Sequence, residues 1–394
     1  MKKIIIGSIA LLTIGNILSQ NFNVVPIKSI VIGTEALNYF FTYNNFLFYA
    51  FQDQITLLDL NSFKETKLKV KSSKAQNFNT YIVKLKILSN GDIAVLNNEP
   101  YIILWNPLKN NKIELPFNIE YNRKDKNNFL ISQTEIIEDL EISNTVKFIF
   151  VKNHISRLFL NFIPIEDYYE YKILSYPDLK EIISWSSKEI NFDNIFFSPD
   201  DNFVILRNVT YPQELNKSYG LKVYDLNKQK EYNLLLNTTV IDFDIAQNSK
   251  LIAISTEESG TKIFDLRTLN EIFKAPISGY VRFSPLENLL ILEGNNTINI
   301  FDVKSSNLIE TYLGSNPSLS PSQTYLAYAI SKNFASLSKE INIVNRYTKT
   351  QNKINFKEEY FVEDIQFSRD ENFLITMLSG KDGYKIEIFK KTSP

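Results

Sequence analysis

"NIFFSPDDNFVILRN" (residues 194–208) with "LKVYDLNKQKEYNLLL" (221–236) opens a pattern that runs three times without a break. "VIDFDIAQNSKLIAIS" (240–255) with "TKIFDLRTLNEIFKA" (261–275) is the second copy, and "YVRFSPLENLLILEG" (280–294) with "INIFDVKSSNLIETYL" (298–313) is the third. Each copy reads apolar strand, polar turn, apolar strand, gap, strand ending in Asp, polar turn, strand. The polar turns are short, so consecutive strands pair antiparallel. One such unit cannot cover its own faces, so neighbouring copies must stack to make a core.

The pattern extends in both directions. Positions equivalent to the closing Asp fall at Asp59, Asn106, Ser175, Asp225, Asp265, Asp302, Asn345 and Lys390. Their spacings lie between 37 and 50 residues, except for 69 between Asn106 and Ser175, where "NIEYNRKDKNN" interrupts the rhythm. A four-stranded antiparallel unit repeated about every 40 residues predicts an all-β fold, a single β-propeller of eight four-stranded blades. The count becomes seven if blade three is two irregular half-blades.

The two ends of the chain are complementary. Blade eight lacks its outermost strand, whereas "NFNVVPIKSIVI" holds a strand at Val24–Ile32 that belongs to no blade. Pairing the first onto the last removes an exposed strand edge and closes the ring. Before it, "MKKIIIGSIALLTIGNILSQ" has two lysines, an apolar run from Ile4 to Leu18 and a small residue, Ser19. That is the layout of a signal peptide cut near Ser19 or Gln20, and the run is shorter than the roughly 20 residues of a membrane span. The expected division is a leader at 1–20 and a propeller at 21–394, secreted or periplasmic, with no membrane insertion after cleavage. A cytoplasmic location follows if the leader is not a signal.

Composition excludes several function classes. With 43 basic and 44 acidic residues there is no global field to draw in nucleic acid. No Cys is present and His154 is the one histidine. Disulfides, thiolate metal sites, Cys nucleophiles and His-built triads or metal sites are therefore not expected. No phosphate-binding Gly loop, nucleophile elbow or metalloprotease motif occurs. No cofactor, metal site or catalytic set is expected. With only 11 Gly, the tight turns must rely on Asn, Asp and Ser.

The triplets Phe197-Ser198-Pro199, Phe283-Ser284-Pro285 and Leu319-Ser320-Pro321, and more loosely Phe367-Ser368-Arg369-Asp370, resemble the "FSPDG" turn of WD-repeat propellers. "VYDLNKQKE", "IFDLRTLNE" and "IFDVKSSNLIE" resemble the family's third strand ending near Trp-Asp. The resemblance is sharp from about 192 to 313. The Gly-His and Trp-Asp pairs of the main family are absent, so the chain is similar to a divergent, WD-like member without its His-based network. Pro sets φ for the turn, Ser or Asp bonds nearby backbone, and the Asp closing each third strand can accept from the N–H groups of the next turn.

In blades of this kind the first-to-second and third-to-fourth connections share one face. Those are short here. On the opposite face long loops are expected at 153–168, 207–219 and 331–339, with inter-blade links at 71–79 and 116–134. Such loops on a rigid scaffold are where binding residues gather. The richest is "NHISRLFLNFIPIEDYY" (153–169), with Arg157, Glu166, Asp167, Tyr168 and Tyr169, joined from blade four by Arg207, Tyr211 and Tyr219. Aromatic residues beside Arg have the composition of interface anchors.

The expected function is thus an exported, non-enzymatic propeller that binds a protein or peptide partner through one face. One alternative is an enzyme acting on a glycan or peptide with a carboxylate pair at the central channel. Another is a cytosolic WD-like assembly scaffold.

Overall fold

The computed structural model describes residues 22–33, 39–51, 53–70, 82–97, 101–109, 111–116, 131–159, 163–188, 192–208, 220–330, 338–356 and 360–392. The leader, the link at 71–79 and residues 117–130 of the link expected at 116–134 lie outside them; Pro116 and residues 131–134 of that link are strand. Among the described residues every regular element is a strand, and no helix is long and apolar enough to cross a membrane. The strands form eight four-stranded antiparallel sheets. In seven of them the four strands follow one another in the chain. The fold is a β-propeller of eight blades.

Blade eight is the exception that the chain ends foreshadow. Its order is Val24–Gly33, Gly383–Lys391, Phe373–Gly380, Tyr360–Phe367, so the N-terminal strand fills the outermost place. Val24 lies opposite Lys391, and Ile30 opposite Ile386. Phe22, two residues before the strand, is 2% exposed. Its ring sits 4.8 Å from Tyr325 of blade seven and 5.3 Å from Phe367 of blade eight. The strand is therefore held by a ladder and by an aromatic anchor.

Contacts divide the chain into two compact units, residues 1–69 with 279–394, and residues 70–278. Within each, apolar strand residues meet between adjacent blades. In the second, Phe150, Tyr171 and Ile173 of blade three pack on Val204, Leu206 and Tyr224 of blade four. In the first, Leu47 and Leu58 of blade one pack on Phe373, Ile386 and Ile388 of blade eight. Burial of each such side chain is worth about 1.5–3 kcal/mol, which makes stacking the main source of stability.

The turns repeat as closely as the strands. Asp59, Asp225 and Asp265 each accept from the N–H groups two and three residues on. Asp302 accepts from Ser305, Asn106 from Lys109, and Asn345 from Tyr347 and Thr348. The Thr268 N–H foremost holds the Asp265 carboxyl below its usual range, outweighing the upward push of partial burial. Four residues after the closing position comes a left-handed residue: Phe63, Leu179, Gln229, Leu269, Ser306 and Lys349, with φ between 50° and 61°.

Asn, Asp and Ser take many of the left-handed turn positions, as expected, among them Asn44, Asp201, Ser249, Asn295 and Ser306. The expectation is too narrow, because Phe63, Leu179, Gln229, Leu269 and Lys349 take others, and Val146 does so at φ 61°. In the first-to-second turns the left-handed side chain has a use. Asp201, Ser249, Gln323 and Glu371, all at φ 57–61°, each bond the corresponding turn of the preceding blade. The cost of about 1–2 kcal/mol for a Cβ in this region is offset by a bond between blades that glycine cannot make. Glycine instead stands at close approaches: a Cβ on Gly279 or Gly314 would collide with the carbonyl oxygen of Glu293 or Ala329.

A buried ion pair adds to this stapling. Arg346, 7% exposed, donates to both oxygens of Glu310 at 2.9 and 3.2 Å and to the Gln323 carbonyl at 3.0 Å, tying blade seven to the outer strand of blade six.

Candidate functional site

Blade three departs from the repeat. Its first three strands, Ile131–Ile142, Phe148–Phe159 and Ile163–Ser175, have 12, 12 and 13 residues, where corresponding strands of blade five have six. The fourth, Glu181–Ser186, covers its neighbour only from Glu170 to Leu174. Beyond that overlap the blade is a three-stranded fin, extended by about six residues or 20 Å.

The loop expected at 153–168 is therefore corrected to paired strand. Val151, Asn153 and Ile155 are buried while Lys152, His154 and Ser156 are not, which is the period of a strand. A polar residue, Asn153, occupies one of the inward positions and interrupts the apolar run in the sequence. The second-to-third connections also proved short in blades one and six, where two residues join Phe51 to Gln54 and Gly294 to Thr297. Residues 209–219 and 331–337 lie outside the described residues.

Register decides which candidates share a face. Arg157 stands opposite Glu166, Ser156 opposite Asp167, and His154 opposite Tyr169. Residues opposite one another share a face and successive residues alternate. One face holds Arg157, Glu166 and Tyr168. There Glu166 accepts from Arg157 at 2.7 Å and from Lys188 at 2.9 Å, and the Lys188 ammonium lies 4.1 Å over the Tyr168 ring. Lys188 first, then Arg157, hold the Glu166 carboxyl below its usual range. The other face holds His154, Asp167 and Tyr169. His154 Nε2 bonds the Asp167 carboxylate, the His154 and Tyr169 rings are 5.1 Å apart, and Lys152 lies 4.2 Å over Tyr169. Tyr169 continues into the core shared with blade four.

The fin brings five of the eight sequence candidates together, divided between two faces. Arg207 lies in blade four's second strand, opposite Asn194 and Leu221. Tyr211 and Tyr219 lie outside the described residues. Sequence reading missed Lys152 and Lys188, both ordinary lysines until the ladder sets them over tyrosine rings. Among the described residues no group of three or more His, Asp and Glu is placed to hold a metal ion.

A second polar arrangement joins the first strands of blades six, seven, eight and one. Glu293, beside blade six's first strand, accepts from the Asn316 N–H at 2.8 Å, and the Asn316 amide donates to the Val362 carbonyl at 3.2 Å. Asp364 accepts from Gln366 at 2.8 Å, and Gln366 in turn accepts from the Thr42 N–H. Burial pushes both carboxyls up from their ordinary values; the Asn316 N–H (for Glu293), the Gln366 amide (for Asp364) and Arg282 (for both) pull back, and the Asp364 charge raises Glu293 further.

No family model matches the sequence, and no curated protein matches it. Among solved structures, the β-propeller domain of Myceliophteria thermophila Cps50 (Swd1) is similar at 14% identity. The match covers 94% of this chain and 100% of that domain, with a TM-score of 0.49.

Proposed function

We propose that this chain is an exported binding module that takes a protein or peptide partner on the fin of blade three. The observation that carries the reading is the fin itself, strands of double length that leave the repeat and display a tyrosine and a bonded polar pair on each face, with Arg157 on one of them. Side chains of this kind concentrate interface energy when water is excluded from them. Export rests on the basic and apolar leader, and N-terminal sequencing of secreted protein tests it. The fin is tested by replacing Arg157, Glu166 and Tyr168 with Ala together, which removes one face and leaves Tyr169 in the core. Capture of partners from the culture medium, quantified against the unaltered protein, is expected to be lost while the unfolding midpoint holds. Equal capture by both proteins overturns the assignment.

A second reading has one observation in its favour. Glu293 and Asp364 lie in one electrostatic group, and burial raises both carboxyls from their ordinary values, the direction a general acid needs. Hydrolysis of a glycan or peptide that disappears in Glu293→Gln would move the site there.

A further inference from the structure

A groove runs between the outer parts of blades seven and eight. It exists because the strands differ in length: blade seven's outer strand, Gln351–Asn355, has five residues, whereas blade eight presents Gly383–Lys391 and Val24–Gly33, with nine and ten. Among the described residues, part of blade eight's face is left uncovered. Two adjoining lobes of about 270 and 410 Å³ share Pro26, Ile354, Asn355 and Phe389. That is the size of small-molecule sites.

Three features define what fits. The floor is aromatic, with Phe356 set edge-on to Phe389 at 6.1 Å. The lining charges are already neutralised: Lys385 pairs with Glu387, and Lys353 with Glu340 at 2.5 Å. A charged ligand would have to break one of these pairs. The walls carry amides, Asn355 exposed and Asn352 donating to Asn23 at 2.8 Å, a bond that bridges the two blades at one end. A bridged end admits a compact ligand better than a chain running through.

We infer that this groove binds a neutral saccharide, its apolar ring face lying on Phe356 and its hydroxyls on Asn355 and the neighbouring amide groups. Aromatic rings take up C–H faces, and amides match hydroxyl pairs as donor and acceptor. The site is separate from the fin, so either can fail without the other.

Saturation-transfer NMR of the whole chain with cellobiose and with diacetylchitobiose, each at about 10 mM, tests the proposal, since a small open groove gives millimolar affinity. Transfer from at least one sugar is expected, with affinity at least about tenfold weaker in Phe356→Ala and in Asn355→Ala. Phe356 also packs on the core of blades seven and eight, so the exposed Asn355 supplies the variant whose folding is not in question. No transfer from either sugar overturns the proposal, as does transfer unchanged in both variants. Transfer from N-acetylphenylalanine amide with both sugars silent overturns it too, and marks the groove as a peptide site.

Discussion

Asp201 of blade four holds Thr145 of blade three by two hydrogen bonds to one oxygen, from the N–H at 2.7 Å and from the hydroxyl at 2.5 Å. Its other oxygen accepts from the Asn144 N–H at 2.7 Å. Asp201 is 4% exposed and left-handed at φ 58°. A strained residue is kept because its carboxylate is the staple.

Replacing Asp201 with Gly relieves the strain and removes the staple. Two backbone N–H groups lose their acceptor, so a net loss of about 2–3 kcal/mol is expected in urea unfolding. Stability equal to or above the unaltered chain would show that the bonds between turns contribute nothing.

Gln229 is the matched opposite. It has the same left-handed backbone at φ 50° and an exposed side chain. Gln229→Gly is expected to raise stability by about 0.5–1 kcal/mol, the strain relieved less glycine's entropy cost. The same unfolding assay reads it.

Phe22 anchors the closing strand between Tyr325 and Phe367. Phe22→Ala is expected to cost about 3–5 kcal/mol. Hydrogen exchange should quicken first in Val24–Gly33 and its partner Gly383–Lys391, because the ladder loses its anchor. A uniform change across the blades would argue against a closure role.

Asp364 gives stability an acid-side preference. Burial foremost raises its folded-state pKa above the unfolded value, despite the pull of Gln366, the Ile365 N–H and Arg282. The folded chain therefore binds the proton more tightly, and this group's contribution falls as pH rises through that range. Asp364→Asn is expected to stabilise the chain at pH 7 relative to the unaltered protein. The gain should vanish below the unfolded carboxyl range, and urea midpoints across pH 3–8 would show it. A gain that persists unchanged at pH 3 would rule out ionisation as the cause.

Much of the fold was legible in the chain. The closing positions from Asp59 to Lys390 all fall at or within a residue of third-strand ends, and the spare strand at Val24 met the vacancy beside Gly383–Lys391. Both follow from local rules: period-two apolarity marks strands, and Ser, Pro and Asp mark turns. The fin was misread as a loop because Asn153, Arg157 and Glu166 break the apolar alternation that identifies a strand.

By itself the sequence determined the four-stranded repeat and its order, from patterns within some 40 residues, and the closing partner, from a spare strand at one end and a missing one at the other. It put the count at eight blades with seven still open. Only the tertiary structure decided which side chains share a face. Glu166 meets Lys188, Asp201 meets Thr145, and Glu293 acts in one electrostatic group with Asp364, across 22, 56 and 71 residues of chain. Ladder register and blade stacking set those meetings, and neither leaves a short-range mark in the sequence.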